Sequence, residues 1–267
     1  MKNYKINLKK GVISIRILSI INLKGGVGKT ISAVNMAYTL TRENFRVLLI
    51  DNDKQGNTSK FYEAHDYEKP SISDVLTEKN VDLDKIIRRT KYERLDIIPA
   101  NMTLLRADKE VLLDSTRQQQ TRLSQALKTV SHLYDYVVID NAPDLSMNVI
   151  NAIVASDDVL IPIKIDNFSL DGLEQLIEQV ENVRVNFNDK LNIAGGFVTM
   201  YQKNNVNISG IEHLRKHAPI PMLGTTICKT VKVDESTFVR EPLLIYAPKT
   251  AVAQDYCRLT SEYIKMG

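Results

Sequence analysis

The sequence predicts an α/β fold in which a mostly parallel, twisted sheet is flanked by helices on both faces. Apolar runs of strand length alternate along the chain with segments in which apolar residues recur at helical spacing. Runs such as "RVLLI" and "YVVI" are apolar almost without interruption, which is typical of strands covered on both faces. A chain of 267 residues is long enough for one large domain of this class with a substantial core.

Seven strands are predicted, in chain order Ile15–Asn22, Arg46–Asp51, Leu95–Pro99, Tyr136–Asp140, Val159–Ile163, Ile193–Thr199 and Pro221–Ile227. Two predicted helices carry apolar residues on one face, namely Leu123, Ala126, Leu127, Val130 and Leu133 in the first and Leu170, Leu173, Leu176, Ile177, Val180 and Val183 in the second. No linker rich in Pro, Gly or Ser divides the chain. Residues 15–267 are therefore predicted to form one domain, preceded by a short basic extension at residues 1–14.

The composition argues against a structural metal site and against a membrane-spanning segment. The two cysteines, Cys228 and Cys257, lack the spacing of a structural zinc or iron–sulfur site and fit a reducing cytoplasm. No segment approaches the roughly 20 uninterrupted apolar residues that span a bilayer, so we expect a cytoplasmic protein. The net charge is +3, and basic side chains outnumber acidic ones at residues 1–16 and 201–250. These zones are either ordinary solvated surface or attract an anionic partner.

The stretch "LKGGVGKT" at residues 23–30 lies between a predicted strand and the predicted helix "KTISAVNMAYTL". Gly25, Gly26 and Gly28 allow backbone N–H groups to turn inward around an anion, and the helix N-terminus adds its positive dipole end. Lys29 would reach the β- and γ-phosphates of a nucleotide, and the Thr30 hydroxyl would bind Mg²⁺. The stretch therefore predicts a phosphate-binding loop.

This loop departs from the usual G-x-x-x-x-G-K-[ST] pattern, because Leu23 stands where the first glycine is expected and Lys24 follows it. The pattern K-G-G-x-G-K-[ST] resembles the deviant Walker A loop of the ParA/MinD superfamily of ATPases, and similarity of motif order extends over about residues 15–265. The resemblance implies a P-loop NTPase fold, ATP and Mg²⁺ as cofactors, and a homodimer in the ATP state. In that dimer Lys24 would contact the phosphates bound by the other subunit, and a cation supplied in this way would stabilise the transferring phosphoryl group. The nucleotide contacts implied for the loop are Gly25, Gly26, Val27, Gly28, Lys29, Thr30 and Ile31.

Two motifs rich in carboxylates follow the loop. The stretch "LLIDNDKQGNTS" resembles the family's switch I pattern D-x-D-P-Q-G-N, with Lys54 in place of the proline that would fix φ. The resemblance implies that Asp53 orients or activates the attacking water and that Asp51 supports the Mg²⁺ shell; a plain turn aspartate is the alternative for Asp53. The stretch "YDYVVIDNAP" fits a Walker B strand whose apolar run ends in Asp140, an acid that would hold a water on Mg²⁺.

Further contacts are implied by resemblance in the C-terminal third of the chain. Adenine contacts are expected near Thr199, Met200 and Pro248. The stretch "TTICKTVKVDES" resembles a basic segment of the family, and Lys229 and Lys232 match its two basic positions. With Arg240, they are the predicted contacts to DNA. Such contacts would neutralise backbone phosphates without reading bases, so binding would be non-specific and strongly dependent on salt.

The sequence is compatible with three hypotheses about function. The first is a partition ATPase, associated with the nucleoid and stimulated by a ParB-like partner, that segregates or positions plasmid or chromosomal DNA. The second is a MinD-like ATPase that works on a membrane surface, which would need a basic amphipathic C-terminal helix. Here Val252, Tyr256, Leu259 and Tyr263 form a stripe with mixed charges beside it, which predicts a helix packed on its own domain. The third reading is a metabolic member of the superfamily.

Overall fold

The computed structural model describes residues 15–166 and 171–266, so the predicted extension at residues 1–14 and the predicted core residue Leu170 lie outside the described residues. The strands are β1 (Arg16–Ile20), β2 (Val47–Asn52), β3 (Arg88–Arg89), β4 (Leu95–Ile98), β5 (Tyr136–Asn141), β6 (Asp158–Lys164), β7 (Asn192–Tyr201) and β8 (Met222–Cys228). The helices are α1 (Lys29–Arg42), α2 (Asn57–Phe61), α3 (Ile72–Thr77), α4 (Leu83–Ile86), α5 (Leu104–Leu113), α6 (Arg122–Val130), α7 (Met147–Ala155), α8 (Asp171–Asn186), α9 (Asn205–His217), α10 (Val231–Val239), α11 (Leu243–Tyr246) and α12 (Ala251–Ile264).

The eight strands form one sheet in the order β3-β4-β2-β5-β1-β6-β7-β8. Every pairing is parallel except that of β3 with β4. Because parallel strands end at the same edge, the loop after β1 and the acids that end β2 and β5 meet there, and Asp51 lies opposite Asp140 in the register. The sheet edge therefore gathers the three predicted motifs.

The core occupies both faces of the sheet, as the apolar runs predicted. Every residue of β2 and β5 is buried. Val47 and Leu49 pack on the face covered by α1 and α12, whereas Leu48 and Ile50 pack on the face covered by α3, α5 and α6. This alternation follows from the period of two in a strand, and it explains why the run is apolar throughout.

The predicted elements are found with shifted ends, and three details differ or extend the prediction. Strand β3 was not predicted, since two arginines form it by pairing with the edge of β4. Leu133 was wrongly placed on a buried helix face, because α6 ends at Val130 and Leu133 is 40% exposed. The stripe Val252, Tyr256, Leu259 and Tyr263 is buried along α12, which confirms that this helix packs on its own domain. Among the described residues, no helix is long and apolar enough to cross a membrane.

Candidate nucleotide site

The loop between β1 and α1 has the backbone that an anion-binding cradle requires. Gly28 is the N-cap of α1 with φ +89°, and Gly26 has φ +70°, so both occupy the left-handed region that favours glycine. The Thr199 hydroxyl, on β7, donates to the backbone oxygen of Val27 at 2.8 Å and anchors the loop from below. The N-terminus of α1 faces the same space, and its unpaired N–H groups favour a negative ligand.

Lys29 is buried at the start of α1, and its ammonium nitrogen donates to the backbone oxygens of Asn22 at 2.9 Å and Lys24 at 3.1 Å. Burial lowers the pKa of Lys29, while the charges of Asp140 and Asp53 act in the opposite direction. An ammonium group has three donors, and two are used here. The third has no partner among the residues that the structure describes, so it could reach a phosphate oxygen.

Lys24 is placed differently from Lys29. Its ammonium group is paired with the carboxylate of Asp166, which lies two residues after the end of β6. The two side chains are 37% and 31% exposed. Lys24 is not among the described residues that line the cavity over the loop. No motif in the sequence predicts this ion pair within the chain.

Two buried carboxylates face each other at the ends of β2 and β5. The Thr58 hydroxyl donates to Oδ2 of Asp140 at 2.7 Å, and within the described ranges Oδ1 of Asp140 is buried without a hydrogen-bond partner. Asp51 is fully satisfied: its Oδ2 accepts from the Ser59 backbone at 2.7 Å and the Ser59 hydroxyl at 2.6 Å, and its Oδ1 accepts from the Asp53 backbone at 3.2 Å. Asp51 therefore fits a supporting role, whereas Asp140 keeps an oxygen for a ligand.

The electrostatics of this pair favour a bound cation. Burial, together with the nearby charge of Asp140, raises the pKa of Asp51 to about 7. Burial likewise raises the pKa of Asp140 to about 6, against the opposing effect of the Thr58 hydrogen bond and the nearby Thr30 hydroxyl. A carboxylate oxygen beside a hydroxyl is the hard oxygen set that Mg²⁺ prefers, and Mg²⁺ usually takes few protein ligands. The residues present thus fit a magnesium site at Asp140 and Thr30.

The two segments that carry the acids are tied to each other. Asp53 is half-buried and lines the cavity, and its Oδ1 accepts from the Gln55 backbone at 3.0 Å. The Lys54 ammonium lies 3.2 Å from Oδ2 of Asp144, on the loop that follows β5. The residue that replaces the family's proline therefore links the loop after β2 to the loop after β5.

The cavity over the loop has a volume of about 530 Å³. Its walls come from the phosphate loop, the first turns of α1, helix α2 and the end of α10. The lining residues are Gly25, Gly26, Gly28, Lys29, Thr30, Ile31, Val34, Asp53, Asn57, Lys60, Phe61, Pro143, Met200, Thr237 and Arg240. Lys60, Phe61 and Thr237 were not predicted to line the site, because no local motif marks them, whereas Asn57 belongs to the switch I motif.

The residues predicted for adenine are only partly brought together. Met200 lines the cavity, with φ +53° at the end of β7. Thr199 is buried beneath the loop. Pro248 is exposed and is not among the residues that line this cavity; its backbone oxygen accepts from the Gln254 side chain at 2.8 Å.

The residues predicted to contact DNA do not all lie together in the structure. Lys229 is exposed just before α10. Lys232, in the first turn of α10, donates to Oε2 of Glu235 at 2.7 Å. Arg240 lies at the other end of α10 and lines the nucleotide cavity. Only Lys229 and Lys232 thus lie at the same end of this helix.

A parallel sheet with a glycine phosphate loop after its central strand, a buried lysine in that loop and an acid at the tip of the neighbouring strand define a P-loop NTPase. A family model described as an AAA domain matches residues 15–193. The sporulation initiation inhibitor protein Soj of Bacillus subtilis is 36% identical over 255 residues, covering 94% of this chain and 99% of Soj. The chromosome partitioning protein ParA of Caulobacter vibrioides is 35% identical, covering 94% of each chain. The chain belongs to the ParA/Soj family of P-loop ATPases, within the ParA/MinD superfamily.

Solved structures give the same fold. A putative plasmid partition protein of Borrelia burgdorferi bound to AMPPNP is similar with a TM-score of 0.80 and 26% identity, covering 95% of this chain and 100% of that one. Cobyrinic acid a,c-diamide synthase of Mycobacterium smegmatis, with bound ATP analogue and magnesium, is similar with a TM-score of 0.80 and 26% identity, covering 92% and 93%. Because a partition protein and a synthase are equally similar in structure, the sequence relatives decide the family.

Proposed function

We propose that the protein is an ATP-dependent, DNA-binding partition ATPase that dimerises on ATP and drives the segregation or positioning of plasmid or chromosomal DNA. The observation that carries the proposal is the placement of Lys24, whose ammonium is paired with Asp166 and lies outside the cavity that its own loop forms. A loop lysine in this position is available to a phosphate group bound by a second copy. The relatives named Soj and ParA support the partition role.

The pair of Lys24 with Asp166 is no obstacle to that exchange. Both side chains are about one-third exposed, and ion pairs of this kind contribute about 0–1 kcal/mol. A triphosphate carries several negative charges and offers a stronger partner in a site from which water is excluded. Dimer closure would therefore replace a weak contact within one chain by a stronger one between two chains.

ATP and Mg²⁺ are the cofactors that this site suits. The similar structures that hold an ATP analogue, one of them with magnesium, support this assignment. Lys29 would bind the β- and γ-phosphates, and Thr30 and Asp140 would hold the ion. When bound, Mg²⁺ supplies charge neutralisation of the phosphates.

Hydrolysis of ATP to ADP and phosphate would depend on three side chains. Asp53 lines the cavity beside the phosphate loop and would accept a hydrogen bond from the attacking water. That hydrogen bond would orient the water so that a lone pair of the water oxygen points at the γ-phosphorus. Lys29 from the same chain and Lys24 from the second copy would stabilise the charge on the transferring group. Since completion of the site needs two copies, hydrolysis is expected to be slow until a ParB-like partner stabilises the closed dimer.

The proposed DNA surface is formed by Lys229 and Lys232 at the start of α10. Two basic side chains from each subunit would lie on one face of the dimer, where they would neutralise DNA phosphates without contacting base edges. The ion pair of Lys232 with Glu235 is partly exposed and can yield to a phosphate. Binding would be non-specific, so the protein would associate with the nucleoid in the cytoplasm.

Two other functions are less well supported. A MinD-like membrane role needs an apolar helix face for the bilayer, whereas the apolar stripe of α12 is buried against the protein. A metabolic role is the second candidate, since the cobyrinic acid a,c-diamide synthase is as similar in structure as the partition protein. That role would give substrate-dependent ATP turnover without DNA.

The test compares wild type, Lys24→Ala and, as a matched control, Lys190→Ala, an exposed lysine outside the cavity. Light scattering with Mg-ATP should show dimers of the wild type and the control, and monomers of Lys24→Ala that still bind nucleotide. A DNA-retention assay graded in salt, with and without ATP and beside liposome sedimentation, should show ATP-dependent retention on DNA alone. An ATP-loaded wild type that stays monomeric, or that binds liposomes and not DNA, would refute the proposal.

A further inference from the structure

Helix α10 joins the nucleotide cavity to the proposed DNA surface. Thr237, in its last turn, and Arg240, its C-cap residue, line the cavity. Lys232 is in its first turn and Lys229 precedes it. At a rise of 1.5 Å per residue, the two ends of this short helix are about 12 Å apart. A displacement at one end is therefore transmitted to the other.

Arg240 combines a left-handed backbone, which is a common ending for a helix, with a guanidinium that has no partner in the described chain. Its backbone is left-handed, with φ +55° and ψ 47°, a conformation that is costly for a residue with a Cβ atom. Its guanidinium makes no ion pair or hydrogen bond with the part of the chain that the structure describes. A cation without a partner in the described chain thus lines the cavity that suits an anionic ligand.

Helix α10 itself is held by few buried contacts. Ser236 is its one buried residue within the described chain, and Phe238 is 88% exposed. Just beyond Arg240, the Leu243 backbone donates to Oδ1 of Asn35 on α1 at 2.8 Å, so the C-terminal end of α10 is fixed next to the helix that starts at the phosphate loop. A contact from Arg240 to a ligand would therefore add substantially to the restraint on α10.

We propose that Arg240 contacts the bound adenine nucleotide and thereby positions α10, so that nucleotide occupancy sets the placement of Lys229 and Lys232. A guanidinium presents five donors in a rigid plane and can bind phosphate oxygens or stack on a base. This role replaces the direct DNA contact expected for Arg240 from the sequence. The consequence for DNA rests on the proposed function, whereas the nucleotide contact does not.

The first experiment measures affinity for ATP, ADP and AMP by calorimetry. Arg240→Gly removes the guanidinium and keeps the left-handed backbone, so the fold should be as stable as the wild type or more so. Loss of a charged hydrogen bond predicts about ten- to a hundredfold weaker binding of at least one of these nucleotides. Arg240→Lys should recover part of the affinity, and Arg215→Ala, an exposed arginine of α9, should change nothing. Unchanged affinity of Arg240→Gly for all three nucleotides would overturn the proposal.

The second experiment follows α10 directly by hydrogen exchange. Saturating ATP should slow exchange of the α10 amides in the wild type and much less in Arg240→Gly, and DNA retention of that variant should stay reduced at saturating ATP. Weaker nucleotide binding with equal α10 protection and normal DNA retention would overturn the coupling. Reduced DNA retention with unchanged nucleotide affinity would identify a direct DNA contact and overturn the nucleotide contact. If the wild type itself does not bind DNA, the proposed function fails while the affinity and exchange results still decide the role of Arg240.

Discussion

The substitution Gly56→Ala tests how the helix that holds the two buried carboxylates is built. Gly56 is the N-cap of α2 with φ +63°. Helix α2 carries Thr58 and Ser59, which donate to Asp140 and Asp51. A change at Gly56 should therefore affect both the stability of the fold and the geometry of the site.

The expected cost follows from two terms. A left-handed backbone costs an L residue about 1–2 kcal/mol. An added Cβ would meet Cδ2 of His65 at 2.7 Å and the backbone oxygen of Ala100 at 2.8 Å. The imidazole can move, but the Ala100 carbonyl is backbone two residues beyond the end of β4 and cannot move easily, so overpacking adds about 1–3 kcal/mol. Together the two terms predict a loss of about 2–5 kcal/mol, which corresponds to a fall in Tm of about 5–15 °C.

Gly25→Ala is the matched control, since a Cβ at Gly25 meets nothing within 4 Å. In calorimetry without nucleotide, Gly25→Ala should unfold within about 0.5 kcal/mol of the wild type, while Gly56→Ala should be strongly destabilised. At a temperature where both are folded, Gly56→Ala should also lose ATPase activity. Equal Tm values for the two variants would refute the assignment of Gly56 as a sterically required glycine.

Three further predictions concern the site and the surface. Asp53→Ala should lose hydrolysis yet keep ATP-dependent dimers on DNA, because only the group that orients water is removed; a normal rate of phosphate release would contradict this role. Lys229→Glu with Lys232→Glu should weaken DNA retention and lower its salt slope by about two per subunit, with dimer formation intact by light scattering; unchanged retention would put the DNA surface elsewhere. Without nucleotide and with a chelator present, the free energy of unfolding should fall as the pH rises from about 4 to about 7. Burial raises the pKa of Asp51 to about 7 and that of Asp140 to about 6, so each carboxyl group favours the fold while it is protonated and loses that contribution as the pH rises through its raised pKa. Asp140→Asn should flatten that slope, and an equally steep slope in the variant would contradict the explanation.

The sheet could be predicted because its strands are buried on both faces and therefore carry a strong local signal. The segment that forms β2 is apolar from Val47 to Ile50, and a short, uninterrupted apolar run that is rich in β-branched residues and ends in polar residues favours a strand buried on both faces. Strand β3 carries no such signal, since Arg88 and Arg89 form a strand only because the edge of β4 is available. Leu133 shows the opposite error, because periodicity continued in the sequence after the helix had ended at Val130.

The site was predictable where its chemistry is local. The loop from Lys24 to Ile31 is contiguous, so spacing alone places its N–H groups and its lysine. Thr58 and Ser59 could have been found from sequence, because hydroxyls in the first turn of a helix that follows two aspartates can reach those carboxylates. The position of Arg240 in the cavity wall could not, since only tertiary packing brings α10 to a loop more than 200 residues earlier in the chain.

Two carboxyl groups buried side by side cost the fold stability, and a bound cation would relieve that cost in a way that reaches α2. Asp51 and Asp140 are both buried, and the ammonium of the nearby Lys29 is directed to backbone oxygens. A cation at Asp140 would relieve the repulsion and favour ionisation of both carboxyl groups, which strengthens the hydrogen bonds that they accept. Those hydrogen bonds come from Thr58 and Ser59. Metal and nucleotide would therefore strengthen the contacts that hold α2, and with it the segment that carries Asp53.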